Sequence, residues 1–380
     1  MAPFSSSSFL SSSSSSASTA TPLPQRMPVK QKMALSIKSL VSSVLGTGRT
    51  GPPPPPVAEL FAKTDPAVDG DDCLHDCDSC VVRYPRNFKI EMDDVMYGQI
   101  SAWSTHLLVG TGKTDWVRDV ADEKGSVMEA VEKAAKPTNG DMKLSASNIP
   151  TPHDTHDYSE PTTALLLPAF RVIRNVHPLN VAQLITDVVS VAPTSTSPMG
   201  TPFSIPASLP SPDPGAVPAL TTADCPHAAV VLMCSQRTRD ARCGQSAPLL
   251  RKELERHLRP LGLYRDLHDE RPGGVGIYFI SHVGGHKYSA NVMVYRRPNA
   301  FGLDEPAPAD EEEPNGTEGK EPNGAAKEDG GGAAQCIWLG RVMPADCENL
   351  VRYTVLRGKV VKPETQLRGG FDRGRGVMSW

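Results

Sequence analysis

Eight prolines fall between positions 193 and 218, a density that no helix or central strand tolerates, because each one removes a backbone donor and fixes φ. The chain must therefore fold as what lies on either side of that stretch. Residues 192–220 are read as a stiff, unstructured linker between two modest domains, 59–191 and 221–380. The leader 1–58 holds a Ser run, the prolines Pro52 to Pro56, five basic residues and no acid. Such a segment buries too little apolar surface to order itself and is read as a disordered tail; a mitochondrial transit peptide is the other reading of its basic, Ser-rich, acid-free composition. Ten acids between 304 and 329, against Lys320 and Lys327, mark 303–334 as a disordered acidic insertion. With these two regions set aside, the formal charge of −4 shrinks towards zero, so no nucleic-acid partner is expected. No apolar run is long enough to span a membrane, and no compact apolar core of a secretory signal is present. The eight cysteines, several beside histidines, point to metal chemistry in a reducing compartment and not to disulfides.

In the first domain 106–109 reads as a short buried strand, 116–134 as a helix, 164–172 as a strand and 179–191 as an amphipathic helix. In the second, 228–233 has the length and β-branched content of a central strand. Ser246 caps a helix with Pro248 in its first turn, running to Leu258. Strands follow at 276–281, 290–295 and 335–342, and 346–356 closes the domain as a helix. The order strand, helix, paired strands, helix predicts an α/β fold: a thioredoxin-like C-terminal domain, preceded by an N-terminal α/β domain that is a candidate degenerate relative of it.

Cys234 follows the first strand of the second domain, and Cys243 lies nine positions on, in MCSQRTRDARCG. His282 and His286 follow the 276–281 strand in SHVGGHKYSANV. All four are expected on loops at strand ends, where a rigid scaffold presents ligands, and Gly284 and Gly285 argue for a loop that approaches something closely. Two thiolates and two imidazoles suit either a structural zinc or a [2Fe-2S] centre with cysteines on one iron and histidines on the other. The C-x8-C spacing is long for a zinc finger, yet spacing leaves both readings open.

The strings CSQRTRDARCG and HVGGHKYSANV, with the upstream segments DGDDCLHDCDSC, WSTHLLVGTGKTDW and PTTALLLPAF, resemble the sucrase/ferredoxin-like family of thioredoxin-like ferredoxins. That resemblance implies a non-Rieske [2Fe-2S] cluster held by Cys234, Cys243, His282 and His286. It implies an electron carrier served by an unidentified reductase, and leaves open whether a substrate is turned over. Neutral imidazole ligands place such centres at about −150 to +300 mV, against about −400 mV for plant-type ferredoxins, and a titrating remote ring nitrogen couples reduction to proton uptake. Gln236 departs from the family, where a histidine often follows the first cysteine, and no carboxylate pair supports a sucrase. A zinc-stabilised interaction module on the same four ligands is the reading from a different class. Arg239 and Arg242 flank the second cysteine and are expected either to stabilise the reduced state or to be solvated.

Cys73, Cys77 and Cys80 form C-x3-C-x2-C, read as a second metal site or as reduced thiols on a loop. GTGKT at 110–114 lacks the first glycine of a phosphate loop, since Leu107 stands there, and is read as a strand-to-helix turn. Cys225, Cys336 and Cys347 are expected to be packing residues, and RGGFDRGRG a flexible tail. Met378, Ser379 and Trp380 match a C-terminal tripeptide, Leu/Ile/Met then Asp/Glu/Ser then Trp/Phe, through which clients recruit the cytosolic iron-sulfur targeting complex. The tripeptide, with Trp380 as an exposed anchor, favours the cytosol over the mitochondrion.

Overall fold

The structure, a computed structural model, describes residues 53–304 and 331–380; the leader up to 52 and the insertion at 305–330 lie outside the described residues. Thirteen strands form a single mixed sheet. In chain order they are β1 (Thr105–Gly110), β2 (Met142–Ser147), β3 (Thr162–Leu167), β4 (Arg171–Val176), β5 (Ser208–Leu209), β6 (Leu220–Asp224), β7 (Ala229–Cys234), β8 (Tyr264–Arg265), β9 (Val275–Ile280), β10 (Val292–Arg296), β11 (Gln335–Leu339), β12 (Leu367–Asp372) and β13 (Val377–Met378). Across the sheet the order is β13-β12-β11-β10-β7-β9-β2-β1-β3-β4-β6-β5, with β8 added to β9.

The same wiring occurs twice. β1 runs parallel to β2, and β3 and β4 follow antiparallel on the other side of β1; β7 runs parallel to β9, and β10 and β11 follow antiparallel in the same way. A helix bridges each parallel pair, Val127–Lys133 in the first half and Ala241–Leu258 in the second, as a parallel connection requires. The two halves meet where the ends of β2 and β9 pair antiparallel, Ser147 opposite Ile280. Side chains widen this seam: Asn148 Oδ1 accepts from Phe279 N at 2.7 Å, and Ser147 Oγ donates to the Phe279 carbonyl at 3.0 Å.

Alternation along the strands divides the core. In β7, Ala229, Val231 and Met233 face the helices of the second half, whereas Val230, Leu232 and Cys234 face a cluster that also takes in Leu108 and Leu165 of the first half. The cysteine is thereby aimed at the side where the halves share a core.

Several expectations change. The helix expected over 116–134 shrinks to Val127–Lys133, because Asp119 caps only a short 3-10 turn, Gly125 has φ +72° and Ser126 starts a new helix by accepting from Glu129 N. The strand expected over 164–172 is two strands, β3 and β4, with a turn between them. The second-half helix begins at Ala241, capped by Asp240, so Ser246 is interior and Cys243 sits in the first turn instead of on a loop. Residues 192–220 are not a free linker: Ile205, Leu209 and Val217 are buried, and β5 pairs with β6. Residues 59–99, assigned by sequence to the first domain, pack on the second half together with 57 and 58. Leu60 and Phe61 join its helix-side core, and the Tyr84 hydroxyl donates to the Val342 carbonyl at 2.7 Å. Residues 368–372 of the expected flexible tail lie in the buried strand β12, with Gly370 close against Phe61, and 374–376 form an exposed turn.

Candidate metal centre

Cys234 ends β7 and Cys243 lies in the first turn of the Ala241–Leu258 helix; they are 3 % and 1 % exposed. Their thiols share a hydrogen bond. That bond lowers the Cys243 pKa, helped by contacts to His282 and Ser289 and opposed by burial. The same bond, and then burial, holds Cys234 well above the ordinary thiol range.

His282 and His286 come from the loop after β9, their ring centroids 5.1 Å apart. The Nδ1 atoms of both are buried without a hydrogen-bond partner, which is costly unless something else satisfies them. Nε2 of His286 lies 3.8 Å from Asp240 Oδ2, and its side chain is 42 % exposed. Burial lowers the His286 pKa, against the pull of Asp240. All four residues singled out in the sequence are therefore brought to one place, at the shared core of the two halves.

The surrounding shell was not legible. Gln236, buried, accepts from His282 N at 2.8 Å through Oε1 and donates through Nε2 to the Val117 carbonyl of the first half. Ser235 Oγ donates to the Thr114 carbonyl at 2.7 Å, and Asp115 accepts from Thr238 N and Oγ1 at 3.0 and 2.9 Å. The GTGKT turn thus clamps the cysteine loop. On the other side Arg368 of β12 donates to the Gly284 carbonyl at 3.1 Å and to Asn291 Oδ1 at 2.7 Å, while Asn291 Nδ2 donates to the Gly285 carbonyl at 3.0 Å. Gly285 is needed there, at φ +67° and with any Cβ falling 2.5 Å from the Arg368 guanidinium. Arg368 and Lys143 supply positive charge to Cys234. Arg242, expected either to stabilise the reduced state or to be solvated, is held bidentate by Asp240 at 2.9 and 2.8 Å, and Arg239 donates to the Arg118 carbonyl.

The sucrase/ferredoxin-like profile matches residues 96–369, across both halves of the sheet. The chain belongs to the sucrase/ferredoxin-like family. Among curated relatives it is 36 % identical to the actin patches distal protein 1 of Saccharomyces cerevisiae over 129 residues, 34 % of this chain and 30 % of that protein. It is 29 % identical over 136 residues to the altered inheritance of mitochondria protein 32 of Clavispora lusitaniae, 36 % of this chain and 33 % of that one. The alignments therefore span about a third of these relatives' length. No solved structure matches the chain.

The remaining sequence candidates separate. Among the described residues Cys73, Cys77 and Cys80 do not form one ligand trio: Cys77 lies with His257 and Glu348, Cys80 donates to the Val82 carbonyl at 3.4 Å, and Cys73 is outside the small apolar cluster that Cys77 and Cys80 share. The reason is the packing of 57–99 on the second half, which sets Cys77 N on the Ala345 carbonyl at 3.0 Å. Cys225, Cys336 and Cys347 are buried, as expected of packing residues. Met378 lies in β13, and Ser379 Oγ accepts from Gly370 N at 2.9 Å. Trp380 is not an exposed anchor: it stacks on Trp103 at 4.4 Å between centroids and meets Phe371 edge-on at 6.0 Å.

Proposed function

We propose that this sucrase/ferredoxin-like chain is a one-electron carrier whose [2Fe-2S] cluster is held by Cys234, Cys243, His282 and His286. Two buried imidazole Nδ1 atoms without hydrogen-bond partners, beside a pair of buried thiols, carry the proposal. Two soft sulfurs and two imidazole nitrogens fit such a group by donor type. When bound, the cluster supplies reversible one-electron chemistry at a potential that neutral imidazoles raise relative to four thiolates.

The chain's own residues do the rest. Ile280, Val283 and Met293 pack in the same apolar cluster as both cysteines and keep water from the sulfurs. Arg368 and Asn291 fix the carbonyls of Gly284 and Gly285, and Gln236 fixes His282 N, so the imidazoles are oriented before any metal arrives. His286 Nε2, facing Asp240, is the atom at which a proton is held. Because the thiols are buried and His286 is half-exposed, an electron-donor reductase has to approach along the histidine edge.

Purified protein tests the proposal. A red-brown spectrum with two irons and two sulfides per chain supports it, whereas a colourless protein holding one zinc on the same four residues establishes the interaction-module reading. Voltammetry should show a midpoint falling by about 59 mV per pH unit wherever one proton accompanies one electron; a pH-independent midpoint removes the proton coupling. Capture by the cytosolic iron-sulfur targeting complex through Met378, Ser379 and Trp380 belongs to the same proposal and requires Trp380 to leave its stack. Fractionation tests the cytosolic address that goes with it, the mitochondrion being the other outcome.

A further inference from the structure

A second set of donors lies away from the first, where the 57–99 segment crosses the far end of the Ala241–Leu258 helix. Cys77 Sγ, His257 Nε2 and a Glu348 carboxylate oxygen all fall within 4.8 Å of one another. They come from three separate parts of the chain, and each is held by its own backbone. Cys77 N donates to the Ala345 carbonyl at 3.0 Å, and Asn349 Nδ2 donates to the His75 carbonyl at 2.8 Å, which pins the crossing segment over the Cys347–Asn349 helix. His257 lies in the last turn of the long helix.

A second observation shows what these donors present. The Arg256 guanidinium places Nη2 3.2 Å from Cys77 Sγ and 3.0 Å from His257 Nε2. The thiol sulfur and the imidazole nitrogen thus both offer a lone pair to one positive charge. Arg256 also donates through Nε to buried Glu253 at 2.8 Å and through Nη1 to Ser79 Oγ at 3.1 Å, so its planar guanidinium has to leave as one body to free the sulfur and the imidazole nitrogen. Arg256 acts here as a stand-in cation.

We propose that Cys77, His257 and Glu348 form a zinc(II) site distinct from the four-residue centre, with Arg256 displaced when the ion binds. One thiolate, one imidazole and one carboxylate match zinc's preferred donors and disfavour calcium or magnesium, which take oxygen. Three protein ligands leave a fourth position of the tetrahedron for water. The ion ties the 57–99 segment to the helix whose first turn carries Cys243, and so braces the first site without touching it.

Metal content of the full-length protein decides. Zinc and iron per chain are measured by mass spectrometry after titration with zinc(II) alone and gel filtration, for the wild type, Cys77→Ser, His257→Gln, Arg256→Ala and Cys243→Ser. The wild type should hold one zinc; Cys77→Ser and His257→Gln should each lose it by more than about tenfold in affinity with iron unchanged. Arg256→Ala should bind zinc about tenfold tighter, because a competing positive charge is gone. Cys243→Ser should lose iron and keep zinc. Cobalt(II) substitution guards against misfolded variants: a thiolate-to-cobalt charge-transfer band in the wild type must vanish in folded Cys77→Ser. Zinc retained by Cys77→Ser and His257→Gln overturns the site, as does a wild type that binds none. Zinc lost only in Cys243→Ser overturns it too and moves the ion to the four-residue centre, while iron lost everywhere with zinc behaving as stated leaves this site standing and the electron-carrier proposal fallen.

Discussion

The two halves of the sheet share one wiring and differ in what their strand-end loops leave unpaired. Gly110 ends β1 where Cys234 ends β7, and Ser147 ends β2 where Ile280 ends β9. Counting six residues on from those second ends reaches His153 in one half and His286 in the other. In the first half the polar groups close on each other: Thr111 Oγ1 donates to the Ser147 carbonyl at 2.9 Å and accepts from Trp116 Nε1 at 2.8 Å, and His156 Nδ1 bonds the Thr111 carbonyl at 2.9 Å. In the second half the corresponding loops bury two imidazole nitrogens and leave them open. One copy is a finished structural joint, and the other keeps donors available at a stability cost. The finished copy then serves the open one, since its 111–118 turn clamps the cysteine loop.

The largest test of this contrast is deletion of one of the four candidate ligands. Cys243→Ser or His282→Ala should leave less than about a tenth of the wild-type iron by mass spectrometry, and iron retained in both variants would abolish the distinction between the halves. Next is the tie between them: Gln236→Ala strands the His282 N–H and the Val117 carbonyl and should lower stability by about 3 kcal/mol in urea unfolding. A wild-type midpoint would mean that the clamp carries no energy.

Acid sharpens the comparison further, because each half buries a histidine. His106 of β1, between Ser145 and Tyr295, is held well below the ordinary imidazole range by burial and then by Lys143; burial lowers His227, bonded to Tyr278, to about 4, with Arg265 contributing. The folded state keeps these rings neutral, whereas the unfolded chain protonates near pH 6.5, so their contribution is complete above about 6.5 and is lost as pH falls below it, for His227 towards about 4. For His227 the loss between pH 7 and 5 should be about 2 kcal/mol. His227→Gln should remove that part of the pH slope; an unchanged slope would contradict a neutral buried ring. The smallest effect belongs to the counterpart position: His153→Ala, exposed, should shift stability by less than about 0.5 kcal/mol and leave iron untouched.

The four donors were legible because cysteine and histidine are scarce and their placement after apolar runs locates them at strand ends. Their supports were not, because Gln236, Asn291 and Arg368 are ordinary polar residues whose partners lie 46, 6 and 84 positions away. The β order of the second half was visible in its apolar runs. The first half hid its short helix behind a cap at Asp119 and a left-handed Gly125. Proline density misled most: in 192–220 it marked extended chain laid over a core, since proline forbids sheet hydrogen bonds without forbidding burial. The C-x3-C-x2-C motif suggested three equivalent thiols, yet the distant partners of Cys77 sit on two helices that only the fold brings near.

Three of the four tryptophans gather in one cluster, Trp380 stacked on Trp103 and Trp338 tilted against it, with Lys143 over Trp103 and Trp338. Indoles packed this closely, beside an ammonium and in the same apolar cluster as Cys234, should emit weakly and as a group. The molecule thus contains its own optical gauge: anything that takes Trp380 off the Trp103 ring should make the emission brighten and redden, so the state of the stack can be followed without a label.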